Sequence, residues 1–171
     1  MVLVPFMAIV FGLIDFSTVI FIQGTLQSAA RQAVRFAITF TSTYGSTNCN
    51  NGQSVCIAKV AKDNAMGFLS GSTNYITVNY YTPNNLSTPV TYCQSGTCTQ
   101  QGTLPQTLSN GTVVNYANQP GNVVEVVISG YPWNWMVPLA RYTPGTGLTL
   151  GASSADVLEG LVVGQLAPPT P

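Results

Sequence analysis

The first 22 residues, MVLVPFMAIVFGLIDFSTVIFI, are apolar apart from Asp15, Ser17 and Thr18, and no lysine or arginine interrupts them. A run of about 20 apolar residues is long enough to cross a bilayer as a helix. A cleaved signal peptide would show a basic start, a shorter apolar run and a small-residue cleavage site, and none is visible, so the segment is expected to be retained. Beyond Ile22 the pattern becomes amphipathic without a strong breaker. At about 100° per residue, Leu26, Ala29, Ala30, Ala33, Phe36, Ala37 and Phe40 share one arc of roughly 120°, while Gln23, Gln27, Ser28, Arg31, Gln32 and Arg35 take the other side. The expectation is one helix of roughly 60 Å at about 1.5 Å per residue. Its lower half suits lipid, and its alanine-rich upper half offers a head-packing face. Residues 1–43 are read as this stem and residues 44–171 as an exported head.

A second amphipathic helix is expected over residues 54–69, where Ile57, Ala58, Ala61, Ala65, Phe68 and Leu69 cluster opposite Lys59, Lys62 and Asp63. The charges read as a solvated face, and Gly71 helps to end the helix. From residue 74 the period changes to two: Ile76, Val78 and Tyr80 alternate with Tyr75, Thr77 and Asn79, and Val124, Val126 and Ile128 with Val123, Glu125 and Val127. A third strand is expected within residues 147–158, around Leu148, Leu150 and Ala152. Two helices followed by strands predict an α+β fold, an antiparallel sheet with both helices on one face. Residues 82–121, rich in Thr, Ser, Asn, Gln, Gly and Pro, read as loop, with a small hairpin over residues 90–101. The tail LAPPTP, residues 166–171, is expected to be extended and outside the core.

Composition narrows the function. Only 6% of residues are charged, five basic and five acidic, and there is no histidine. This excludes the electrostatic footprint of a nucleic-acid binder and removes the commonest general base and metal ligand. No Ser/His/Asp set or phosphate-cradling glycine loop is present, and Asp63, Glu125, Asp156 and Glu159 show no spacing of a catalytic carboxylate pair. The chain is therefore not expected to be an enzyme or to carry a cofactor. The four cysteines form two close pairs. Three connectivities are formally open, but the turn-rich segments NNGQSV and QSGT favour Cys49 with Cys56 and Cys93 with Cys98. A metal site would need all four thiolates to converge. Disulfides would place the head outside the reducing cytosol.

Several residues carry candidate roles. Asp15, deep in an apolar segment, is either a contact between stems or a hydrated or protonated carboxyl near the interface. Pro5 fits helix initiation. The segment YPWNWMVPLARY, residues 131–142, concentrates Trp133, Trp135 and Met136, and reads as a partner surface, as closure of the core, or as an aromatic belt at a membrane. Asn85 in NLS and Asn110 in NGT match the N-glycosylation sequon in exposed loop, with O-linked sugar on the Ser and Thr as an equal alternative.

LVPFMAIVFGLIDFS followed by LQSAARQAVRFAIT, with Pro5, Gly12, Asp15, Phe16, Leu26, Ala29, Ala30, Arg31, Ala33 and Arg35, resembles the start of the TadE-like (tight-adherence) minor pilins. VVEVVISGYPWNWMVPL and GLTLGASSADVLEG resemble the end of that family. The resemblance implies a pilin-like stem helix packed on a small antiparallel sheet with a second helix. It implies a subunit of an extracellular pilus or filament that is membrane-inserted before assembly and supports adhesion or surface attachment. Its partners would be other copies or related pilins, the inner-membrane assembly machinery and, at the surface, glycans. Pro5, Phe6, Ile9, Phe11, Gly12, Asp15, Phe16 and Ile20 are the expected assembly interface. Proteins of this kind carry a basic leader, a glycine cleavage point and a glutamate upstream of the proline. Met1–Val4 contain none of these, which leaves two alternatives: a natural N-terminus further upstream, or insertion without prepilin processing. The alternative from another class is a membrane-tethered monomeric binding module, for instance for carbohydrate through Trp133 and Trp135.

Overall fold

A computed structural model of the protein describes residues 3–41, 43–49, 52–71, 74–94, 97–100, 106–107, 113–114, 117–134 and 148–159. The elements in chain order are α1 (Leu3–Ile38), β1 (Thr43–Tyr44), β2 (Thr47–Asn48), α2 (Gln53–Asn64), β3 (Ile76–Tyr81) and β4 (Thr91–Gln94). They continue with β5 (Thr97–Gln100), β6 (Gln106–Thr107), β7 (Val113–Val114), β8 (Val123–Trp133) and β9 (Leu148–Val157). Five strands form one antiparallel sheet in the order β5-β4-β3-β8-β9, and β1-β2 and β6-β7 form separate two-stranded ladders. The fold is α+β. The sheet holds two strands more than the period-two pattern predicts, because the polar hairpin β4-β5 joins it along β3. The expected hairpin over residues 90–101 is therefore an extension of the sheet rather than a loop.

Both helices lie on one face of the sheet, α1 over β8 and β9 and α2 over β3, with the two helices in contact. The register explains why. Ile76, Val78 and Tyr80 stand opposite Ile128, Val126 and Val124, so one face of β3 and β8 is continuously apolar and buried. Leu150 and Ala152 extend it onto β9. Alternation across a strand sends the remaining residues to the opposite face, where Thr77, Asn79, Tyr81 and Glu125 lie.

Both helices stop earlier than the apolar pattern suggests. α1 ends at Ile38, with Phe40 at a φ of 49°. α2 covers residues 53–64 rather than 54–69, because Met66 (φ 51°) and Gly67 (φ 87°) adopt left-handed backbone that a helix cannot contain. Leu69 is fully buried all the same, so its apolar spacing reported burial and not helix. The end of α1 is closed by a long-range contact: the buried Gln53 donates from Nε2 to the Ala37 carbonyl at 2.9 Å, one of the orphan acceptors of the last turn.

The cysteines pair as expected, Cys49 with Cys56 and Cys93 with Cys98. The first bridge fastens the chain before α2 to its opening turn. The second links directly facing residues of β4 and β5.

β8 runs through residues 131–133, which the sequence pattern places after the strand. A bulge sets Ser129 and Gly130 opposite Gly151, and Gly130 has a φ of 75°, backbone that glycine adopts without penalty. Past the bulge β3 has ended, so among the described strands Pro132 pairs only with β9, at an edge position that tolerates its missing N–H. At Gly151 a Cβ would lie 2.8 Å from the Ile128 carbonyl oxygen.

Gly151→Ala is expected to destabilise the head by about 1–3 kcal/mol, since backbone rather than a flexible side chain must yield. Gly24→Ala, with nothing within 4 Å of the added carbon, should gain about 0.5–1 kcal/mol from helix propensity. Chemical denaturation of the two variants measures both. The Tyr80 hydroxyl is fully buried without a hydrogen-bond partner among the described residues, and burial pushes its pKa above the ordinary value of 10.0. Its folded form therefore resists ionisation, so its stabilisation is complete below about pH 10 and is lost above it, at up to about 1.4 kcal/mol per pH unit. Tyr80→Phe should be neutral or stabilising at pH 7 and should flatten the alkaline limb in denaturation midpoints measured across that range.

Candidate assembly stem

α1 is one helix with two surroundings. In its lower half Pro5 sits in the first turn, where a missing N–H costs little. The hydroxyls of Ser17 and Thr18 donate to the carbonyls of Leu13 and Ile14 at 2.8 and 2.7 Å, and Thr25 to that of Phe21 at 2.9 Å. These groups are thus satisfied within the helix, as an apolar environment demands. By length and composition the helix can cross a membrane, and 6% of its most apolar 18-residue window is buried.

Of the residues expected to form an assembly surface, Pro5, Phe6, Ile9, Phe11, Gly12, Phe16 and Ile20 are all exposed. Asp15 differs from them. It is 1% exposed within its own chain, so its carboxyl is enclosed by the same molecule rather than presented with Phe11 and Phe16.

The upper half packs as its alanine stripe predicts. Leu26, Ala29, Ala30, Ala33 and Ala37 are fully buried, and the small side chains let α1 approach both α2 and the sheet. Phe36 and Phe40 are half-buried, Phe36 meeting Tyr44 edge to face at 5.5 Å. Ile22, one turn below Leu26 on the same arc, and Val34, about 40° beyond that arc, also belong to the core. Contact with α2 on one side and the sheet on the other widens the buried arc, which a single-face pattern does not anticipate.

The junction between the halves is aromatic. Phe21 meets Phe68 at 6.3 Å, Phe68 meets Tyr131 at 6.4 Å and Tyr131 meets Tyr75 at 6.2 Å, all edge to face. These rings join α1, the turn after α2, β8 and the start of β3 at the base of the head.

Above this base the polar side of α1 stands away from the inner face of β9. Gln27, Arg31 and Arg35 on the helix face Ser154 and Asp156 on the strand across a groove of about 790 Å³. β9 is an edge strand, and two of its backbone groups are already occupied: Gln23 donates from Nε2 to the Gly151 carbonyl, and Asp156 Oδ1 accepts from the Val157 N–H at 2.8 Å. Such blunting protects an edge from pairing with other strands.

On the far side of the sheet, Glu125 Oε2 accepts from the Tyr81 hydroxyl at 2.8 Å and from Asn79 Nδ2 at 3.1 Å. Partial burial, and then the neighbouring Glu125, push the Tyr81 pKa up. Trp133 is buried in the same core cluster as Leu150, and among the described residues its Nε1 has no hydrogen-bond partner. Trp135 and Met136 lie outside the described residues. Asn85 is exposed in a turn, its Oδ1 accepting from the N–H groups of Ser87 and Thr88 at 3.1 and 3.2 Å, and Asn110 lies outside the described residues. Among the described residues no group of three or more His, Cys, Asp or Glu is placed to hold a metal ion.

Comparison with curated proteins and with solved structures gave no match. The family comparison falls on the stem and stops there: residues 1–35, from the apolar lower half of α1 to Arg35 in its head-packing half, match the family model of the TadE-like protein.

Proposed function

We propose that this chain is a structural subunit of an extracellular pilus or filament, held in the membrane by the lower half of α1 until that half packs against the stems of other subunits. The carrying observation is the continuous helix whose lower half leaves eleven large apolar side chains exposed, from Leu3 to Phe21, while its upper half is built into the core of the head. At about 1.5–3 kcal/mol for each such side chain taken out of water, covering them is worth roughly 15–30 kcal/mol. That exceeds the net stability of about 5–15 kcal/mol typical of a folded domain. Lipid before assembly and neighbouring stems after it both supply the cover. The TadE-like match over this same segment supports the pilus setting. Heads then project outward, their uncharged polar surfaces available for attachment. No catalytic role enters this reading. The tethered sugar-binding module draws less support, because Trp133, one half of its aromatic platform, is packed inside the head.

Appendages sheared from cells, viewed by electron microscopy and analysed by mass spectrometry, are expected to contain this chain. If it is absent from every filament and stays in the membrane as a monomer, the assembly reading falls and the tethered module replaces it. Phe16→Ala, at an exposed position of the lower half, should reduce filament yield several-fold without moving the thermal unfolding of the head, measured by circular dichroism. Normal filaments from that variant would remove Phe16 from the assembly surface.

A further inference from the structure

We propose that the groove between α1 and β9 holds the phosphate headgroup of an anionic membrane phospholipid while the subunit is in the bilayer. This rests on the membrane-held stage of the reading above. The position of the groove along α1 carries the argument. The aromatic rings joined to Phe21 stand where the largely exposed apolar half of α1 gives way to its buried half, and aromatic side chains collect where hydrocarbon meets headgroups. Measured along the helix from Phe21, Arg31 lies about 15 Å higher and Gln27 about 9 Å higher. Side chains on a helix lean towards its N-terminus, which here is towards the membrane. The Arg31 guanidinium thereby descends to about 9 Å above the aromatic level, close to the headgroup layer, which extends about 5–8 Å from the hydrocarbon.

The chemistry agrees with the position. Arg31 and Arg35 lie one turn apart on the same side of α1, both exposed and without a counter-ion among the described residues. They are two of only five basic residues in the chain. Asp156, the acid in the groove, has one carboxylate oxygen turned to the Val157 N–H. The groove thus keeps a net positive charge, and Gln27 and Ser154 add donors and acceptors suited to glycerol hydroxyls. Gly24 leaves its lower mouth open, with nothing within 4 Å of where a Cβ would stand. The Arg31 guanidinium above such a mouth matches a phosphate diester entering from below, and Arg35, about 21 Å above Phe21 along the helix, adds its charge from one turn higher. A neutral or purely zwitterionic surface would leave the excess charge uncompensated.

Native mass spectrometry of the detergent-purified full chain, with added phosphatidylglycerol, phosphatidylcholine or inorganic phosphate, tests this. Retention of phosphatidylglycerol over phosphatidylcholine is expected. The double variant Arg31→Gln/Arg35→Gln should lose about thirtyfold in phosphatidylglycerol affinity if each arginine contributes as a juxtamembrane basic residue does. Asp156→Asn should shift affinity the other way, several-fold tighter. Inorganic phosphate should not compete at millimolar concentration, since it lacks the acyl chains that hold the headgroup at the mouth. Equal retention of both lipids, or a preference that survives the double variant, overturns the proposal. So does a double variant that loses filaments while its lipid preference is intact, which would assign the groove to a neighbouring subunit. A chain extracted from membranes by alkaline carbonate would instead refute the membrane-held stage itself.

Discussion

The head is built on a helix that it covers along only half its length. From Ile22 upward α1 is a core element, its alanines fully buried against α2 and the sheet; below Ile22 the same helix has no described element packed along it. A helix is rigid over this length, so the two halves cannot adjust independently. The orientation of the apolar lower half is set by how the upper half docks. That docking in turn depends on the apolar inner face of β3 and β8 and on the backbone approach that Gly151 permits at the edge of β9. Small changes in sheet geometry therefore reach the stem directly.

The base of the head resolves the change of surroundings with aromatic side chains. Phe21, Phe68, Tyr131 and Tyr75 come from four separate elements and meet edge to face. Rings with an apolar body and, in the tyrosines, a polar tip tolerate both a protein interior and a wet boundary. β8 reaches this level only because the bulge at Ser129 and Gly130 lets it continue past the end of β3, and Pro132 fits at an edge position that tolerates its missing N–H. In the proposed membrane-held stage these aromatics sit at the lipid surface, with Arg31 of the groove above them and Arg35 one turn higher.

Much of the fold was legible because burial leaves periodic traces. The 3.6-residue spacing of Leu26, Ala29, Ala30, Ala33 and Ala37 announced a helix face, the alternation of Ile76, Val78 and Tyr80 announced a half-buried strand, and the short cysteine spacings announced local bridges. Polar strands leave no such trace. β4 and β5 join the sheet through backbone hydrogen bonds that any side chain permits, so TYCQ and TCTQ read as a small hairpin within loop and not as strands of the sheet. Leu69 shows the converse error, an apolar residue in helical phase that is buried from a turn.

Taken alone, the sequence determined the long apolar segment, its change to an amphipathic helix and the α+β order of elements, and it favoured the local pairing of cysteines that the structure shows. Each of these depends on composition or on spacing within a short window. Only the tertiary structure decided that Asp15 is enclosed by its own chain while Phe11 and Phe16 face outward, that Trp133 closes the core, and that Arg31 and Arg35 share a groove with Asp156. The last of these joins residues more than a hundred positions apart. Local pattern carries no information about which element will pack against which side of a helix.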